Sequence, residues 1–225
     1  MITEYDIEQA QLPDKTASYM PVPHNNLISL IQEKVYKHGF DITRTRYSGN
    51  RGVNQLFGVY DLSTSDGETN LNIGFRNSYD KTLPVGLVAG ATVIVCSNLM
   101  FKGEIKVLRK HTRNVFSDLD TLLENVIQSA KYEYEQLGED KEAMKLKLLD
   151  KRQMAELAGR MFIEEKILTA NQMSELKKEI YHSEHFTGET LWDFYNHSTH
   201  ALKKSHPGQV ISNHIRVHDF IMELS

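Results

Sequence analysis

Apolar residues recur at two different spacings, and the change of spacing divides the chain. Between residues 41 and 110 they form short runs separated by turn-forming residues, which is typical of β-strands. From Thr112 onward they recur at intervals of three, four or seven, which indicates amphipathic helices. The predicted fold class is α+β: an antiparallel, mainly meander sheet with one packed helix, followed by an all-α C-terminal half. The predicted strands cover residues 41–47, 55–62, 69–76, 91–96 and 104–110.

The N-terminal part contains one predicted helix. Leu27, Ile31 and Val35 lie on one face of a helix over residues 25–38, and Gly39 can adopt the left-handed conformation that ends it. Residues 1–23 contain three prolines and are predicted to form an extended arm. The predicted division is that arm, an α+β core over 24–112, and a helical region over 113–225 that packs on or extends from the core.

Two interpretations of the first part of the helical half stay open. A helix stop at Gly138 would give a long helical hairpin with a second arm over 141–166, whereas one continuous helix through Gly138 would cost about 1 kcal/mol. Further along, Thr169 and Gln172 match a capping box, which predicts a helix over 170–182. Thr187 is predicted to cap a helix reaching Lys204, and a last helix follows Pro207.

Composition narrows the class of protein. The chain has 225 residues, 40% hydrophobic and 25% charged, as expected of one large globular domain or a compact domain with a helical extension. Its single cysteine, Cys96, cannot form an internal disulfide and fits a reducing compartment. The sequence contains no apolar run of the ~18 residues that a membrane span needs, and the N-terminus is acidic, unlike a secretory signal. We therefore expect a cytoplasmic protein without a membrane partner.

Charge is unevenly distributed, which points to a polyanionic partner. Residues 42–113 carry ten basic and five acidic side chains, so this region is +5 within a chain of net charge −4. Arg44 and Arg46 alternate along one predicted strand, as Lys106 and Lys110 do on another, so each pair faces one side. Single- or double-stranded nucleic acid is the predicted partner. The candidate binding residues are Arg44, Arg46, Tyr47, Arg76, Tyr79, Lys81, Lys106, Arg109, Lys110 and Arg113.

A second group of polar residues surrounds the apolar strands and has two readings. Asn, Ser and Asp are natural turn formers, so the group can be a lock that holds turns in place. Alternatively, Arg76, Asp80, Cys96 and His111 build an enzyme site, although no catalytic residue is assigned and an enzyme is the less favoured class. The group consists of Asn77, Ser78, Asp80, Cys96, Asn98, His111 and Thr112.

Cofactor and metal sites are not predicted. Histidines pair at helical spacing as His182 and His185, His197 and His200, and His214 and His218, but few acidic residues and no cysteine accompany them. The glycines follow neither a P-loop nor a dinucleotide-binding spacing. Cys96 ends an apolar run, which favours a packing role over that of a nucleophile.

The chain resembles a family of phage- and plasmid-encoded proteins that carry a domain of unknown function. The resemblance rests on one continuous motif, Arg76-Asn77-Ser78-x-Asp80-Lys81, and on several shorter ones, although Tyr79 stands where His would be expected. The shorter motifs are His24, Phe57-Gly58, Gly90, Val95-Cys96-x-Asn98, Phe101-x-Gly103, Arg109-x-His111-Thr112, and Trp192, Asn196 and Thr199. The resemblance implies a mobile-element protein of a bacterial cytoplasm and no established chemistry.

The leading hypothesis is a non-enzymatic, nucleic-acid-associated protein of a phage, prophage or plasmid. Its alternative is a protein-interaction module that modulates a host factor through the acidic helical half, which could also form a homo-oligomer.

Overall fold

An antiparallel sheet in the order β1-β2-β3-β4-β5 organises the computed structural model, which describes residues 2–17, 19–102, 106–107 and 115–224. The strands are β1 Ile42–Gly49, β2 Gln55–Ser65, β3 Thr69–Ser78, β4 Gly86–Val93, β5 Leu99–Phe101 and β6 Lys106–Val107, which pairs with β4 beside β5. The helices are α1 Glu4–Glu8, α2 His24–Lys37, α3 Val115–Leu146, α4 Lys151–Ile163, α5 Ala170–His182, α6 Leu191–Ala201 and α7 Val210–Met222. The predicted α+β class and the helical C-terminal half are confirmed.

Both faces of the sheet are covered, because successive residues of its buried strands place apolar side chains on both sides. On β2, Leu56 and Tyr60 face the large core that contains the apolar stripes of α2 and α3. Phe57 and Val59 face the opposite side and form a smaller cluster with β5 and with Ile211 of α7. The second face therefore lies beneath the last helix of the chain.

Two glycines allow aromatic rings to lie directly against the sheet. A Cβ at Gly58 would lie 2.2 Å from the ring of Phe75, and one at Gly90 would lie 2.3 Å from the ring of Phe101. Such distances are far below van der Waals contact, so only glycine fits. Gly58 and Gly90, which both belong to the family resemblance, thus serve packing.

Side-chain contacts attach the C-terminal helices to the sheet. Asn98, after β4, donates from Nδ2 to the backbone carbonyl of Asn196 at 2.9 Å. The carboxylate of Asp140 on α3 accepts from Nζ of Lys102 at 2.7 Å and lies 3.1 Å from Nε2 of His218 on α7, and both contacts are partly buried. These polar ties fix the orientation of α6 and α7 on the sheet.

We predicted an extended arm over residues 1–23, but the arm is not extended throughout. Residues Glu4–Glu8 form α1, because Thr3 and Asp6 cap its first turn reciprocally and Ile7 is buried in the core. The prolines at 13, 21 and 23 all follow this helix, so they do not oppose it.

The strand predicted over 91–96 begins earlier and ends earlier. The chain leaves the sheet after Val93, turns through exposed Ile94 and Val95, and returns as β5, which the pattern had not predicted. Ser97 has a left-handed φ of 57°, and its N–H donates to the carbonyl of Val93 at 2.8 Å. An apolar run that continues into a turn does not by itself show where the strand ends.

α3 continues through Gly138, so the continuous-helix alternative holds and the predicted break is absent. Leu137 and Met144 are buried on either side of the glycine, and Lys141 binds Asp66 at 2.6 Å. These contacts outweigh the intrinsic cost of one glycine in a helix. The capping box at Thr169 is confirmed, whereas the cap of α6 is Thr190 and not Thr187.

Candidate nucleic-acid interface

Arg44 and Arg46 of β1 converge on one residue of the turn between β4 and β5. Nη1 of Arg44 donates to Oγ of Ser97 at 2.9 Å, and Nη1 of Arg46 donates to the carbonyl of Ser97 at 3.3 Å. Both arginines therefore lie on the second face of the sheet, as their alternation had predicted. We call this region, formed by Arg44, Arg46, Ser97 and Lys203, the Ser97 site.

Most of the charge of Arg46 is balanced inside the protein. Its Nη2 lies 2.7 Å from Oδ1 of Asp61, and Thr92 donates to the same carboxylate oxygen at 2.6 Å. Burial lowers the pKa of Arg46, and the neighbouring Asp61 carboxylate opposes that effect. Because Asp61 is almost inaccessible, Arg46 acts mainly as its partner and as a support for the Ser97 turn.

Lys203 brings a third cation from the far end of the chain. Its Nζ donates to the carbonyl of Cys96 at 2.6 Å, one residue before Ser97. Burial lowers the pKa of the Lys203 ammonium group, and the Cys96 thiol and Glu179 oppose that effect. Periodicity does not predict this convergence, because Lys203 follows α6 and reaches the sheet only through the packing of that helix.

A pocket of about 400 Å³ opens beside these cations. It lies between the second face of the sheet and the segment that joins α6 to α7, and its wall is mainly apolar. Ligand pockets usually range from about 300 to 1,000 Å³ and combine such a wall with a few polar groups. Its lining residues are Arg46, Tyr47, Ser48, Phe57, Val59, Ser97, Leu99, Leu202, Lys203, Ser205, Pro207, Val210 and His214.

Of the other predicted contact residues, Tyr47 lines this pocket, whereas Tyr79, Arg76 and Lys81 lie elsewhere. Tyr47 is largely buried, with its hydroxyl 2.9 Å from that of Tyr60, and Tyr79 is buried with its ring stacked on His24. Arg76 is buried and donates to the carbonyl of Gly208 at 3.2 Å. Lys81 is exposed but follows the opposite end of β3, about 30 Å along the strand from the end nearest Ser97.

Several predicted residues lie outside the described part of the chain. Arg109, Lys110 and Arg113 belong to this group, as do His111 and Thr112 of the polar signature. The side chain of Lys106 is also outside it, although the backbone of that residue forms part of β6. Their contribution to binding stays a prediction.

The first part of the polar signature forms a closed network, which we call the Asn77 network: His24, Asn77, Ser78, Tyr79 and their backbone partners. Nδ2 of Asn77 donates to the carbonyl of Val22 at 2.7 Å and to Nδ1 of His24 at 3.0 Å. Nε2 of His24 lies 2.8 Å from the carbonyl of Val53. The hydroxyl of Ser78 donates to the carbonyl of Leu83 at 2.8 Å and accepts from the N–H of Leu83 at 3.1 Å. These contacts join the end of β3 to neighbouring backbone segments, so this part of the signature acts as a lock that holds turns in place.

The network keeps His24 neutral. Burial lowers the pKa of His24 to about 4, opposed only by its contact with the Val53 carbonyl. A neutral imidazole that donates from Nε2 to a carbonyl must accept at Nδ1, which matches the amide donor of Asn77. Each polar atom of the ring is thus used.

The described members of the alternative enzyme site do not meet. Asp80 accepts from Thr82 in the turn between β3 and β4, whereas Cys96 lies beyond the other end of β4. Burial raises the pKa of the Cys96 thiol, which disfavours the reactive thiolate. Cys96 is half-buried against the core, near Asn196.

Two of the three histidine pairs contact other protein groups. His197 and His200 both face Glu179, at 4.0 and 3.6 Å, and His214 donates from Nδ1 to the carbonyl of Val210 at 2.8 Å. Within the described ranges, no set of three or more His, Cys, Asp or Glu side chains is placed to hold a metal ion. Among the same residues, no helix has both the length and the apolar character needed to cross a membrane.

Apolar side chains are exposed on the helical half. Leu146, Leu148 and Ile163 are largely accessible, and a groove of about 460 Å³ separates α4 from α5 near Met173 and Tyr181. Such surfaces occur at protein interfaces, so the interaction-module alternative keeps a physical basis and stays a prediction.

Fold and site together define an α+β protein with a cationic pocket on one face of its sheet. The chain matches the model of a family described as a domain of unknown function (DUF932) over residues 13–219, and it belongs to that family. No curated protein and no solved structure matches it.

Proposed function

We propose that this protein is a non-enzymatic, nucleic-acid-associated protein of a bacterial phage, prophage or plasmid, working in the cytoplasm, and that the Ser97 site is its contact surface. The observation that carries the proposal is the convergence of Arg44 and Lys203 on one turn. The partners of these two side chains are a hydroxyl and a carbonyl, both uncharged, so neither cation is neutralised by its contact.

Arg44 and Lys203 can bind a phosphate backbone, because their charge is not neutralised and some of their N–H donors are unused. Arg44 and Lys203 each keep further N–H donors beyond the one used at the turn. Arg46 differs, because Asp61 balances its charge, and it contributes by holding the carbonyl of Ser97 in place. Two available cations beside a pocket favour a small number of phosphate contacts, which implies modest affinity and a shallow dependence on salt.

Fluorescence anisotropy with labelled single- and double-stranded oligonucleotides at low salt tests the proposal. We expect binding that weakens with salt, with a log–log slope of about −0.7 per contacted phosphate on single strands and about −0.9 on duplex. Arg44→Glu with Lys203→Glu should reduce affinity at least about 10-fold, since two attractions become repulsions.

The matched control reverses a charge far from the site. Arg152 of α4 is almost fully exposed and contacts Glu156, so Arg152→Glu changes the net charge without touching the Ser97 turn. It should leave affinity nearly unchanged. Absence of binding to any oligonucleotide, or an equal loss in the control, would refute the proposal.

A further inference from the structure

We propose that the pocket beside the Ser97 site receives one unpaired base of a single strand, so that the protein selects single-stranded over double-stranded nucleic acid. This inference rests on the proposed function and goes further, because it names the form of the ligand and the part of it that enters the protein. It follows from the position of the pocket, the character of its wall and the hydrogen-bonding groups left unused in it.

The pocket adjoins the cations closely enough for one nucleotide to contact both. Arg46, Ser97 and Lys203 line it directly, and Arg44 bonds the hydroxyl of Ser97. Each nucleotide has a charged phosphate and a flat base whose faces are apolar and whose edge is polar. Phosphates held at the cations therefore leave the adjoining base beside the pocket entrance.

The wall suits an aromatic ring. Phe57, Val59 and Leu99 form the sheet side of the pocket, and Leu202, Pro207 and Val210 form the opposite side. A base transferred from water to such a wall gains the burial of its apolar faces. A duplex keeps its bases stacked and paired, so it cannot make this contact without paying to extrude one.

Unused polar groups in the pocket match the edge of a base. The hydroxyl oxygen of Ser205 accepts from Nε2 of Gln172 at 2.9 Å and from Nδ2 of Asn213 at 3.1 Å. Both of its lone pairs are then occupied, so its proton is what it can offer a ligand. His214 donates from Nδ1 to the Val210 carbonyl, which leaves Nε2 as an acceptor. One donor and one acceptor in an apolar pocket fit an amino group beside a ring nitrogen or carbonyl.

The test compares three labelled ligands by fluorescence anisotropy: a single-stranded oligonucleotide, the same sequence as a blunt duplex, and an abasic strand of equal length. We expect the single strand to bind at least about 10-fold more tightly than the other two at the same salt concentration. Equal binding of all three ligands would overturn this inference while leaving the proposed function standing. Absence of binding to all three would overturn both.

A pocket-filling variant separates base insertion from general attraction. Val210 is partly buried and lines the pocket, so Val210→Phe should occupy the space of the base and reduce single-strand affinity about 10-fold, with duplex and abasic affinities unchanged. Ile28→Phe is the matched control, because Ile28 is equally half-buried on α2 and packs against the large core, away from the pocket. A loss of equal size for both variants, or none for Val210→Phe, would contradict the inference.

A second measurement does not depend on any variant. A strand that carries 2-aminopurine fluoresces more when this base leaves its stacked neighbours, so binding should increase its emission if the base enters the pocket. Unchanged emission at saturation would count against insertion. Competition by a free nucleoside monophosphate as effective as that by the strand would instead make the pocket a nucleotide site and overturn the inference.

Discussion

The Asn77 network and the Ser97 site both lie at turns beside β4, and they use their polar groups in opposite ways. In the Asn77 network, the amide of Asn77 and the ring of His24 use their donors and acceptors on protein groups. At the Ser97 site, Arg44 and Lys203 hold the turn with one contact each and keep donors beside an open pocket. A polar cluster indicates a ligand only when it has bonding capacity left over and space next to it.

The largest effect is expected at Arg46, which joins the Ser97 site to the interior. Arg46→Met leaves the buried Asp61 carboxylate without its cation, and we expect the free energy of unfolding in urea to fall by about 3–5 kcal/mol. The double variant Arg46→Met with Asp61→Leu should recover much of that loss, because no charge stays buried. A single variant within about 1 kcal/mol of the parent would show that this pair does not support the site.

Acid should act on both regions through buried histidines. Burial lowers the pKa of His24 and of His214 to about 4, below the ordinary value of about 6.5. The unfolded chain therefore binds protons first, so this stability is fully present above about pH 6.5 and is lost as pH falls towards 4. We expect each histidine to account for about 3 kcal/mol, measured as the urea unfolding free energy against pH. Imidazole NMR signals of both residues that titrate near pH 6.5 would contradict this.

Removing one amide should break the closed network. Asn77→Ala leaves the Val22 carbonyl, Nδ1 of His24 and the N–H of Ser78 buried without this partner, and we expect a loss of about 2 kcal/mol in urea unfolding. Asn26→Ala, on an exposed position of α2, is the control and should change stability by less than about 0.5 kcal/mol. Similar effects for the two variants would mean that the network is no lock.

The smallest effect on stability is expected from the two available cations. Arg44→Ala and Lys203→Ala remove one contact each at accessible positions, so the unfolding free energy should change by less than about 1 kcal/mol. Each should nevertheless reduce the salt slope of single-strand binding by about 0.7. If the salt slopes of these two variants were unchanged while their stability was normal, these cations would not contact the ligand. The contrast between the two regions would then be weaker.

Much of the fold could be predicted from periodicity, because burial repeats at two residues in strands and at 3.6 in helices. The strands around Tyr60 and Ile73 follow directly from it, and the capping box at Thr169 predicted the helix that begins there. Periodicity did not show the end of β4, since Ile94 and Val95 continue the apolar run into a turn. It also did not show that contacts around Gly138 keep α3 whole.

The site was predictable only in part. Arg44 and Arg46 were found because alternation places both on one face of β1. Lys203 was missed, since its approach to Ser97 depends on how α6 packs on the sheet through Asn98 and Asn196. The residues with the most distinctive sequence, around Asn77, are those that the structure places in the turn lock.

The contact between Lys203 and the Cys96 carbonyl has a consequence for synthesis on the ribosome. Its two partners are separated by 107 positions, so the binding surface is incomplete until the segment after α6 has emerged and docked. A nascent chain of which only the sheet has emerged would carry Arg44 without Lys203, and its pocket would lack the wall that the segment after α6 forms. Nucleic acid near the translating ribosome should therefore bind this protein weakly until its folding is almost finished.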